Sequence, residues 1–179
     1  MKVVAAPALG ENICVCSPDL VILQARKKSP VPGAPEIQYS MPILKDNKKY
    51  CFAMEMVVRD YELDSQDIVN NANYLHYMEH TRHTFCAEAG MSFGDLHKMG
   101  IDPVVRKVEI EYKTSLRVND RFISALKVER KGPRFVFKQD IIFPNGEFAA
   151  RATVTVVAIK DGKLSKGDEL YSFFGQYMK

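Results

Sequence analysis

One block of helical periodicity, followed by an unbroken series of period-two runs, constrains the fold of this chain more than any other feature of its sequence. Asn70-Asn71 opens the block and Gly90 closes it, where a capping glycine belongs at a helix C-terminus. Leu75, Met78, Phe85, Cys86 and Ala89 mark one face of the predicted helix. After Pro103 the period changes to two. Residues 104–112, 121–130, 134–143 and 148–159 read as strands rich in Val, Ile, Phe and Thr. Turn chemistry joins them: Val118-Asn119-Asp120, Lys131-Gly132-Pro133, Pro144-Asn145-Gly146 and, at the end, Asp161-Gly162. A further alternating run at 50–59 precedes the helix. Gly167 onward, with Leu170, Phe173, Phe174 and Tyr177, suggests a short terminal helix. The order predicts an α+β fold: an antiparallel sheet wrapped around one long central helix.

A length of 179 residues fits one domain of this kind and excludes a TIM barrel. The domain is expected over 49–179, behind an N-terminal extension at 1–48 of unassigned role. That extension holds six of the nine prolines, an Arg26-Lys27-Lys28 run and a proline-rich stretch at 29–35 that reads as linker or arm. Leu20-Val21-Ile22-Leu23 can form a short strand. Only three serines and four acidic residues in the first 50 fit a transit peptide poorly. The chain is therefore expected in the cytoplasm, with a plastid as the alternative if 1–48 is a transit peptide. A net charge of +3 does not indicate nucleic-acid binding, and no apolar run approaches the ~18 residues of a membrane span. Cys14, Cys16, Cys51 and Cys86 have neither disulfide-framework nor zinc spacing and read as reduced thiols.

The chemistry concentrates in VVRDYELDSQDIVNNANYLHYMEHTRHTF, residues 57–85. Asp64 lies in a loop just before the helix start. A helix start presents unpaired N–H groups and partial positive charge, so a carbonyl oxygen docked there is polarised. A carboxylate on the other side of that carbonyl can attack it or activate water. Together these are the parts of an acyl-transfer site. The plainer reading is that Asp64 is a turn residue and Asn70-Asn71 a cap.

The run Asp64-x-x-x-x-Val69-Asn70-Asn71-Ala72-x-Tyr74-x-x-Tyr77, followed by strands, resembles hotdog-fold acyl thioesterases of the 4-hydroxybenzoyl-CoA thioesterase type. The longer run from Val58 through His80-x-Arg82-His83 is similar to plant acyl-lipid thioesterases and their bacterial relatives, over about 50–179. The resemblance implies Asp64 as catalytic carboxylate and the Asn71 N–H, with Asn70 beside it, as holder of the thioester oxygen. It implies that Tyr74 and Glu79 line the acyl pocket, that the substrate is acyl-CoA or acyl-carrier protein, and that no cofactor takes part. It also implies a homodimer with the site at the seam, or a homotetramer. Two positions depart from the pattern. Asp67 stands where many members have glycine, and Asp tolerates a left-handed backbone. Ile68 stands where some members have histidine, which leaves Asp64 without a histidine partner.

Basic pairs at Arg106-Lys107 and around Arg130-Lys131-x-x-Arg134 are candidates for substrate phosphates, or simply solvated turns. A rival reading comes from His76-Tyr-Met-Glu79-His80, which matches the H-x-x-E-H zinc motif. It lacks a third ligand and a protease-sized scaffold, so no metal site is expected. A non-catalytic acyl-binding module is the remaining alternative. Burying an acid such as Asp64 is costly where no chemistry needs it, which argues against that alternative. A dehydratase of the same fold is expected to use a histidine from the site loop, and none precedes position 76.

Overall fold

The structure is a computed structural model and describes residues 50–178. The expectations for the N-terminal extension, including Cys14, Cys16 and the strand at 20–23, lie outside the described residues. Strand β1 (Phe52–Val57) leads through a loop to helix α1 (Asn71–Glu88) and the short helix α2 (Phe93–Lys98). Strands β2 (Ile101–Tyr112), β3 (Arg121–Lys131), β4 (Arg134–Ile142) and β5 (Phe148–Lys160) follow. The two-residue strand β6 (Lys163–Leu164) and helix α3 (Asp168–Phe174) complete the order. All pairings are antiparallel, in the spatial order β1-β3-β4-β5-β2, with β6 added to β5.

Helix α1 lies against the concave face of this sheet and is pinned by a small polar network inside an apolar seam. The Gln139 amide donates to the Met78 carbonyl at 2.9 Å and accepts from the Arg82 guanidinium at 2.7 Å. The Thr81 and Ser124 hydroxyls pair at 2.7 Å. Thr81, Ser124 and Gln139 are buried with these hydrogen bonds satisfied, which fixes the helix over β3 and β4 at little desolvation cost. The apolar core divides along the helix. Tyr74, Tyr77 and Met78 pack with Val58, Leu116, Phe122 and Ile141. Phe85 and Cys86 pack with Phe137, Leu170 and Phe174, the Phe85 and Phe174 rings stacking at 5.6 Å.

The structure corrects the sequence reading in four places. The buried face of α1 runs through Tyr74, Tyr77, Met78, Thr81, Phe85 and Cys86, whereas Leu75 is exposed and turned away from the sheet. Strand β2 starts at Ile101, two residues before Pro103, because an edge strand can leave one side of its ladder unpaired and so accommodates proline. Helix α2 was not anticipated; it is too short for a periodic signal, and its one mark is Ser92, whose hydroxyl accepts from Asp95 N at 3.2 Å. Strand β6 follows Asp161-Gly162, both with positive φ (49° and 77°), the geometry of a tight hairpin. At Gly167 (φ 80°) a Cβ would sit 2.8 Å from the Phe135 ring, so only glycine lets α3 begin there.

Candidate active site

The loop between β1 and α1 is built on a buried acid, and that acid is Glu62. Its Oε2 accepts from Arg59 N at 2.7 Å and from the Tyr77 hydroxyl at 2.7 Å, and its Oε1 from the Arg59 guanidinium at 3.4 Å. The Glu62 carbonyl accepts from Asn70 N and from the Asn73 side chain. Residue 62 therefore ties the loop to the first two turns of α1. Burial, and then the hydrogen bond to Glu62, push the Tyr77 hydroxyl above its ordinary pKa, so it stays a donor.

Two residues on, the chain folds back on itself. Leu63 pairs with Val69, Asp64 N donates to Ile68 O at 2.8 Å, and Asp67 takes the left-handed conformation (φ 57°) that its side chain tolerates. Asp64 is half-buried rather than buried as the sequence suggested, because Glu62 takes the place facing α1. Its Oδ1 accepts from Gln66 N at 2.8 Å, and its Oδ2 receives no hydrogen bond among the described residues. One oxygen thus shapes the loop and the other is spare.

The fold-back returns the chain to the start of α1, a few residues from Asp64. The Asn70 side chain accepts from Ala72 N at 3.0 Å and its carbonyl from Asn73 N at 2.9 Å, so Asn70 is the cap. The Asn71 N–H meets no acceptor among the described residues, and eighteen residues of aligned helix lie behind it. The Tyr112 hydroxyl donates to Asn71 O at 3.1 Å, and its ring meets Tyr74 edge-on at 5.2 Å. Tyr74 is buried, its hydroxyl accepting from Leu116 N at 3.0 Å. Glu79, five residues further along α1, is exposed and borders a separate cavity. The structure therefore brings Asp64, Asn70, Asn71 and Tyr74 to one end of α1, and Glu79 belongs to its middle. The sequence analysis missed Glu62 and Tyr112; Arg59-x-x-Glu62, spaced as a capping box, was the available sign of the first.

The other candidates lie elsewhere. Arg130 sits at the opposite end of β3 from the loop, bonded to Asp168 at 2.7 Å and stacked over Tyr171. It does not reach the helix start of its own chain. His76, Glu79 and His80 are exposed on α1, and among the described residues no three His, Cys, Asp or Glu side chains gather as metal ligands. His97 pairs instead with Asp102 at 2.7 Å. No helix among the described residues is long and apolar enough to cross a membrane.

A curled antiparallel sheet around one helix, with an acid-bearing loop at the helix start, is the arrangement of the hotdog fold. The chain belongs to the thioesterase-like superfamily, whose model matches residues 58–170. It is similar to two chloroplast acyl-acyl carrier protein thioesterases of Arabidopsis thaliana. The ATL3 enzyme is 30% identical over 96 residues (52% of this chain, 50% of that one), and ATL2 is 28% identical over 128 residues (69% and 68%). The match thus spans about half of the first and about two thirds of the second. Among solved structures, YbaW of Escherichia coli, named a probable thioesterase, superposes with a TM-score of 0.64 at 27% identity, covering 71% of this chain and 98% of that one. A hypothetical protein of Aquifex aeolicus superposes at 0.63 with 28% identity, covering 68% and 98%.

Proposed function

We propose that the protein hydrolyses acyl thioesters, carried on CoA or on acyl-carrier protein, to a free acid and a thiol. The observation that carries this reading is the pairing of a spare Asp64 carboxylate oxygen with an unbonded Asn71 N–H at the start of a long helix. The thioester oxygen docks on the Asn71 N–H, where the helix terminus stabilises the negative charge that develops as the carbonyl becomes tetrahedral. Asp64 takes the proton of an attacking water, or attacks the carbon itself. The C–S bond then breaks and the thiolate leaves, taking up a proton. Family membership supports the reaction class, and the named relatives act at acyl thioesters.

The reading includes a homodimer, or a tetramer built from it. Strand β2 pairs only with β5 among the described residues, and Val104, Val105, Val108 and Tyr112 along it are exposed. A long edge strand with exposed apolar side chains is a template for a second strand. Tyr112 touches Asn71, so a second copy added along β2 borders the helix start. Two measurements test the proposal: thiol release from acyl-CoA and acyl-carrier-protein substrates by wild type and Asp64→Asn, and the solution mass by light scattering. Full turnover by a folded Asp64→Asn variant overturns the role of Asp64.

A further inference from the structure

Helix α1 and strand β2 run side by side without closing on each other. At one end they meet through the Tyr112 hydroxyl and Asn71 O. At the other, Arg82, His83 and Cys86 of α1 share a cavity with Pro103 and Val105 of β2. Between these points the concave face of β2 is uncovered. Val105, Val108 and Tyr112 pair across the ladder with Val156, Val154 and Ala150, all core residues beneath α1, so they point to the same side. Yet Val105 and Val108 keep 45% and 39% of their surface, and Leu75 on α1 keeps 38%. The result is an apolar furrow that starts at the Asn71 helix terminus and ends in a cavity of about 140 Å³.

The cavity is polar at its mouth and apolar in its depth. Glu79 and His83 are exposed, and Arg82 is held by Gln139. Phe137, Val156, Leu170 and Phe174 form the buried floor, and Phe93 of α2, in ring contact with His83, stands at the side. We propose that this furrow and cavity form the track for the acyl chain, with the cavity receiving the distal end of a long, unbranched alkyl group. The assignment rests on the thioesterase reading and adds a chain length to it. Eight residues separate Asn71 from Glu79, so the cavity mouth lies about 12 Å along the helix from the oxygen-binding N–H. An extended hydrocarbon with C–C bonds near 1.5 Å advances roughly 1.25 Å per carbon, so about ten carbons span that distance. An apolar cavity of about 150 Å³ holds a benzene-sized group, so this one takes about five or six carbons more. Chains of about 14–16 carbons fill the track, and chains below about ten do not reach its end.

The test uses two variants along the track and one away from it. Val105→Phe narrows the cavity mouth at an exposed position, Phe93→Ala widens its side, and Leu164→Phe on β6 is the control. The ratio of kcat/KM for a 14-carbon to a 6-carbon acyl-CoA is expected to fall tenfold or more in Val105→Phe. In Phe93→Ala the optimum shifts to longer chains, and in Leu164→Phe the ratio keeps its wild-type value. A second arm reads binding without turnover: myristate raises the melting temperature of wild type by several degrees, hexanoate does not, and Val105→Phe loses the response. If wild type turns over acyl thioesters but both track variants keep its chain-length profile, the track is wrong and the thioesterase reading stands. If wild type turns over none of them, the thioesterase reading fails, and myristate stabilisation alone decides the track. If Val105→Phe changes the solution mass and leaves the chain-length ratio alone, the furrow is a seam between copies and the assignment is overturned.

Discussion

Two carboxylates two residues apart, Glu62 and Asp64, have opposite circumstances. Glu62 is buried, and three donors from Arg59 and Tyr77 converge on its two oxygens. Asp64 is half-exposed, bonded through one oxygen to its own loop. A fully bonded acid has little left to offer a substrate, and removing it strands its donors. A partly bonded acid contributes little to folding and retains a lone pair for chemistry. Burial alone is thus a poor guide to which acid is chemical: the deeper of the two is the fastener, and the shallower one is the candidate reagent.

Exchanging the two roles by mutation separates them. The largest effect is expected for Asp64→Asn. Thiol release falls by about 10²–10⁴, the usual contribution of a positioned acid–base group, while thermal unfolding moves little. Glu62→Ala has the reverse signature. Each buried donor left without an acceptor costs about 1–3 kcal/mol, so the melting temperature drops sharply in calorimetry, and activity at low temperature falls far less than in Asp64→Asn. Tyr77→Phe removes one of the three donors and is expected to cost about 1 kcal/mol in a denaturant titration. The same pair predicts an alkaline signature. The folded pKa of Tyr77 lies above the ordinary value of about 10, so its stabilising contribution is complete below pH 10 and is lost as pH rises through the folded value. Stability measured from pH 9 to 11 therefore declines less steeply in Tyr77→Phe than in wild type. The smallest effect concerns the thiols. Burial pushes Cys51 up to about 11 and Cys86 up to about 12, so at pH 8 neither is expected to alkylate until the protein unfolds, as peptide mapping can check.

Much of the frame was legible in the sequence because local physics dictates it. The helix at 71–88, the stop at Gly90, and turns at Asn119, Gly132 and Gly146 follow from periodicity and backbone tolerance, and each of these turn residues has positive φ. What escaped depends on neighbours. Pro103 looked like a boundary because the sequence does not reveal that β2 is an edge. Leu75 looked like core because a helical wheel cannot say that the sheet beneath stops short of that side. Within the site, Asp64 and the helix start were legible as a spacing. The partition of roles between Asp64 and Glu62 was not, since it depends on Tyr77 arriving from fifteen residues downstream. Helix α2 and the furrow it borders carry no periodic signal at all.

The order of the sheet also bears on how the chain is made. Strand β2 finds its partner only in β5, with Ile101 set against Lys160 and Tyr112 against Ala150. During synthesis at ~5–20 residues per second, β2 leaves the ribosome several seconds before the strand that covers it. A nascent chain halted before Phe148 holds α1 and an unclosed β2 with valines along its free rim. The fold is therefore completed from its C-terminal side, and the interval before β5 emerges is when this protein most needs a chaperone.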